Sequence, residues 1–122
     1  MMLSESILLT AAIEIILRLD HHVALQAGPD GIAIRLPTTR RLAEYLGVPH
    51  YYVLPHFAEM EKNNLIQREE RVGISTTPRG TRMLLSQMGD EYAEETNAVL
   101  GDDLFALLQK RALLVSPDDQ VS

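Results

Sequence analysis

Apolar residues crowd the start of the chain: Ile7, Leu8, Leu9, Ala11, Ala12, Ile13, Ile15, Ile16, Leu17 and Leu19, interrupted by Thr10, Glu14 and Arg18. With Ser4 placed to cap it, this stretch predicts a helix to about Asp20. The apolar positions cover far more than one stripe, so the helix must be buried on most sides. In so short a chain that points to a partner subunit, the alternative being a helix wrapped by its own domain.

The pattern then shortens. AGPDG (27–31) carries turn chemistry, and Val23-Ala24-Leu25 and Ile32-Ala33-Ile34 on either side read as short extended segments. Thr38 is placed to cap a helix from Thr39 to Leu46, with Leu42, Ala43 and Leu46 on its apolar face and Gly47 as its stop. Pro49 suits the first position of the next helix, about 49–64, along which Val53, Phe57 and Met60 recur at i, i+4 and i+7. Asn63-Asn64 ends it.

Pro55 falls inside this helix. It removes a hydrogen bond to the Tyr51 carbonyl, at a usual cost of about 3 kcal/mol. Either the helix begins at Leu54-Pro55, or one turn from Pro49 is kinked against a regular helix beyond. The kink is the expected solution, because it keeps the 53, 57, 60 row in phase.

Residues 65–71 and 74–77 read as two strands joined by a tight Val72-Gly73 turn. Thr77-Pro78 opens a helix to about Met88, Gly89-Asp90 separates it from another at roughly 91–100, and Gly101-Asp102 restarts a last helix to about Val115. SPDDQVS is a disordered tail by composition. The resulting organisation is 1–88, a main domain including the first helix; 89–116, a helical segment; and 117–122, the tail. The class is α+β, mainly α.

Composition narrows the function. The apolar fraction of 46% allows a real core, and the absence of cysteine excludes disulfides and thiolate metal clusters. A cytoplasmic location fits. The N-terminus lacks a basic n-region and a cleavage site, and its apolar run falls short of about 20 residues, so neither a signal peptide nor a membrane span is expected.

The net charge is −6, but unevenly spread. Residues 35–82 hold eight basic and five acidic side chains, a net of +3; the remainder holds three basic and twelve acidic, a net of −9. A nucleic-acid partner responds to the local field, so the middle of the chain stays eligible.

Asp20-His21-His22 suggests a polar helix end rather than a metal site, and no metal or cofactor is expected. No nucleophile–base pair, phosphate-cradling loop or paired-carboxylate site presents itself, so the chain is not expected to be an enzyme.

The run TTRRLAEYLGVPHYYVLPHFAEMEKNNLIQREERVGISTTPRGTRMLL (38–85) resembles bacterial transcriptional regulators of the winged helix-turn-helix superfamily, in the manner of MarR, PadR and GntR proteins. LAEYLGV (42–48), EMEKNNLI (59–66), QREERVG (67–73) and TPRG (77–80) carry the likeness, with Asn64 where a Gly is usual. The resemblance implies a winged helix with additional N- and C-terminal helices and the wing at 67–76. It also implies a homodimer that binds double-stranded DNA, with a small-molecule or protein effector as a further partner and none in the membrane.

In such a unit the second helix presents its N-terminal residues to the major groove. His50, Tyr51, Tyr52 and Leu54 are then the base- or phosphate-facing candidates, with Thr39, Arg40, Arg41 and Arg79 at helix starts and Arg68 and Arg71 on the wing. Ile7, Leu8, Ile15, Ile16, Leu104, Leu107 and Leu108 are the dimer candidates. The competing expectation is a protein–protein adaptor of the same fold that never touches DNA.

Overall fold

A computed structural model describes residues 2–29, 31–69 and 73–114. It is mainly helical, with two small antiparallel sheets. The expected tail at 117–122 and the candidate Arg71 lie outside the described residues.

Helix α1 spans Glu5–Glu14, capped by the Ser4 hydroxyl, which accepts from the Ile7 N–H at 3.2 Å. It continues to Asp20 as six residues of π-helix, closed by His21 in the left-handed region. A π-turn holds more residues per turn than an α-turn. Ile15, Ile16 and Leu17 are here all buried in succession.

The neighbours of α1 correct the expectation that a partner subunit covers this helix. It packs against α2 (Thr39–Leu46), α3 (His50–Lys62) and α4 (Pro78–Glu91) of its own chain. Leu8 and Ile15 are fully buried and Ile16 is nearly so. The all-round apolar pattern therefore reflects a central helix wrapped by its own domain. Ile7 is half-buried, and Leu108 is also buried within the chain. Of the dimer candidates only Leu104 and Leu107 are exposed.

Strands β1 (Leu25–Gly28) and β2 (Gly31–Ile34) form a hairpin in the register Leu25↔Ile34 to Gly28↔Gly31. The first extended segment thus lies two residues later than the sequence suggests. Strands β3 (Ile66–Glu69) and β4 (Gly73–Thr76) form the second ribbon, from Ile66↔Thr76 to Glu69↔Gly73. The two ribbons are stitched together: Arg35 bridges to Ser75, the Leu36 N–H donates to the Ile74 carbonyl at 2.9 Å, and the Ile34 N–H donates to the Thr76 hydroxyl at 2.9 Å.

Helices α2 and α3 end in the same way. Gly47 is left-handed, and the N–H groups of Gly47 and Val48 return to the carbonyls of Glu44 and Ala43. Asn64 is likewise left-handed, and Asn64 and Leu65 return to Glu61 and Met60. Both are Schellman closures, and Asn64 performs the glycine role that the sequence assigns to it.

Helix α4 begins with Thr77 as cap and Pro78 at the first position, as expected. It runs on to Glu91, through Gly89-Asp90, where the sequence suggests a break. Gly89 is packed against Phe105 and Gln109 of α6 (Asp102–Leu114). It is a glycine of close helix approach and not of helix termination. The chain bends instead at Tyr92, before α5 (Ala93–Leu100).

Glu14 ties these layers together. It accepts from the hydroxyls of Tyr45 at 2.8 Å and Tyr92 at 2.9 Å, while Arg18 reaches both Glu14 and Glu95. Burial, reinforced by the carboxylate that its hydroxyl donates to, pushes the Tyr92 phenol up to about 12.

Candidate nucleic-acid interface

Val53, Phe57 and Met60 are buried, which fixes the rotation of α3 as the sequence row demands. The opposite face is left to solvent. Tyr51 is 67% exposed and Tyr52 50%, their rings meeting edge to face at 4.9 Å, and Leu54 is partly exposed beside them. Two rings and a leucine open to water on a first helical half give a surface suited to a partner and not to a core.

Pro49 is the residue before α3 and not its first helical position; its backbone is extended and the helix starts at His50. The helix runs unbroken through Pro55, so the alternative of a start at Leu54 is excluded. Pro55 sits on the exposed side, as does Tyr51, whose carbonyl loses its donor. Water can supply that donor, which lowers the cost of the proline.

The starts of α2 and α3 are held together by the Thr39 hydroxyl and His50 Nε2, 2.7 Å apart. Two of the expected DNA contacts thus bond to each other. Arg40, one residue on, is exposed on the first turn of α2. These three with Tyr51, Tyr52 and Leu54 come from the same two helix starts.

Other candidates are engaged elsewhere. Arg41 grips Asp20 with both terminal nitrogens, one at 2.6 Å from Oδ2. This hydrogen bonding holds the Asp20 carboxyl below its ordinary range. It also occupies the acid of the Asp20-His21-His22 cluster, and among the described residues no group of three His, Cys, Asp or Glu is placed to hold a metal ion. On the second ribbon Arg68 lies 3.5 Å from Glu61 of α3. Arg79 lies at the other end of α3, where it shares a hollow with Lys62, Asn63 and Asn64.

Sequence reading missed Asp20 and Glu61 as counter-charges. Asp20 is 21 residues from Arg41 and comes to it only through the π-turn and the hairpin. Among the described residues no helix is long and apolar enough to cross a membrane. Comparison with known proteins finds no family model, no curated protein and no solved structure that matches the chain.

Proposed function

We propose that the chain is a winged helix-turn-helix DNA-binding protein, a transcriptional regulator that acts as a homodimer. The observation that carries this reading is the exposed N-terminal half of α3, with Tyr51, Tyr52 and Leu54 facing outward beside Arg40. Around it are the other parts such a module needs: a Gly47 closure between α2 and α3, and a ribbon, β3–β4, anchored by Arg35 and Ser75 to the segment that leads into α2. In this arrangement α3 enters the major groove, α2 crosses the backbone and the ribbon serves as the wing.

Each exposed group has a distinct use. The Tyr51 and Tyr52 hydroxyls bond to phosphates or base edges, Leu54 touches a thymine methyl, and Arg40 meets phosphate. The first half of α3 carries no Arg or Lys, so the bidentate guanine contact is absent from it and shape and apolar contacts carry more of the discrimination. Selection of genomic fragments by the purified protein, followed by footprinting, tests the proposal: it calls for protected, two-fold-related sites, and uniform recovery of all fragments overturns specific readout.

A second reading, a protein–protein adaptor, is favoured by one observation. Arg41 and Arg68, two of the candidate phosphate contacts, are committed to Asp20 and Glu61, leaving an aromatic face more prominent than a basic one. An adaptor binds no duplex, specific or bulk, at low salt.

A further inference from the structure

Helix α4 carries its charges the wrong way round for its own dipole. Arg79 lies in its first turn and Asp90 and Glu91 in its last. Cations at a helix N-terminus and acids at its C-terminus both oppose the macrodipole. The helices α1, α5 and α6 follow the favourable rule, with Glu5, Glu94, Glu95, Asp102 and Asp103 in their first turns. Helix α2 also starts with arginines, and there Asp20 answers Arg41 within the chain. On α4 the opposite charges sit along one stripe, roughly 16 Å apart at 1.5 Å per residue.

That stripe is open. Arg79, Met83, Ser86 and Asp90 recur at i, i+4, i+7 and i+11, all are exposed, and all line one broad cleft of about 730 Å³ between α4 and α1. The cleft floor is set by Gln87, whose amide donates to the Thr10 hydroxyl of α1 at 2.6 Å. Met83, 44% exposed, is the large apolar side chain at its middle.

We propose that α4 is the surface on which two copies of this chain pair, antiparallel, with Arg79 of each opposite Asp90 of the other. The positions are self-complementary: when 79 faces 90, position 83 faces 86, so each Met83 lies over a Ser86 small enough to receive it. A two-fold axis between the helices satisfies all four pairs at once, as an isologous interface requires. The second copy supplies acids at the N-terminal end of α4, cations at its C-terminal end and an opposed dipole, which corrects the misplacement within the single chain. Helix α6 gives no comparable argument, since its charges already suit its own dipole. Arg79, a DNA candidate on sequence grounds, is reassigned to the pairing of subunits.

Pairing through α4 is independent of the DNA contacts on α3, so sedimentation reads it without duplex. Sedimentation velocity of the full chain compares the wild type, Arg79→Asp, Asp90→Arg and the double reversal. Arg79→Asp places an acid in the first turn of α4, which favours the helix, so the variant folds. The expected results are a wild-type dimer at low micromolar concentration, weaker pairing by about tenfold or more in each single variant, and recovery in the double reversal to within about threefold of wild type. A monomeric wild type, single variants that dimerise as well as wild type, or a double reversal that fails to recover overturns the proposal. Weakened duplex binding by Arg79→Asp with unchanged sedimentation does the same, and assigns Arg79 to the DNA path.

Discussion

Arg41 binds the carboxylate of Asp20 through two nitrogens, joining the first turn of α2 to the last residue of the π-helix that ends α1. The pair fixes where α2 begins relative to the central helix. It also neutralises an arginine that stands beside the exposed Arg40 on the candidate DNA face.

Asp20→Asn releases that arginine. If the face binds DNA, the variant binds bulk duplex more tightly at low salt, and the slope of log affinity against log salt steepens by up to about one unit. Titrating both proteins by duplex anisotropy checks this; an unchanged slope places Arg41 off the DNA path. The same pair sets a pH dependence. The folded carboxyl of Asp20 titrates below its ordinary value, so its stabilisation is present above the unfolded carboxylate range and is lost as pH falls through the lowered value. Acid melts of Asp20→Asn therefore lack the part of the low-pH decline that wild type owes to this group.

Gly80 is required by a close approach. A Cβ at this position would overlap the Leu65 carbonyl oxygen, which also accepts from the Thr77 N–H at 3.1 Å. The start of α4 is thereby pressed against the end of α3, with the Thr77 hydroxyl donating to the Asn64 carbonyl at 2.6 Å. Gly80→Ala forces backbone apart and costs about 3 kcal/mol or more, read as a fall in the urea midpoint. A loss under about 0.5 kcal/mol, the level of a neutral surface change, contradicts the packing described.

Pro55→Ala restores an N–H for the Tyr51 carbonyl. Because Tyr51 and Pro55 are both exposed, water can serve that carbonyl, and the gain is below the usual proline cost, about 1 kcal/mol or less, and never a loss. Chemical denaturation measures it. Duplex affinity changes only if the proline sets the aim of His50 and Tyr51; a destabilised variant would mean that Pro55 packs against something essential.

Much of the local structure is legible in the residues because its causes are local. Ser4, Thr38 and Thr77 cap helices through their own hydroxyls, and Gly47 and Asn64 close helices through their own backbone angles. The interior row of α3 follows from spacing alone. What escapes reading is decided across the fold. Gly89 looks like a helix stop until Phe105 is found against it. The apolar girth of α1 looks like a subunit interface until three helices of the same chain surround it. Arg41 and Arg68 look like free phosphate contacts until their carboxylates arrive from other elements. The exposed cluster of Tyr51, Tyr52 and Leu54 is the part of the candidate site that both sequence and structure present.

The most direct test of DNA binding through this face is the salt dependence of duplex affinity for wild type, Arg40→Ala and Tyr51→Ala. The account predicts measurable wild-type binding at low salt, a slope reduced by about one unit in Arg40→Ala, and weaker binding to selected sites in Tyr51→Ala. No duplex binding by wild type at low salt would contradict it and leave the exposed tyrosines to a protein partner.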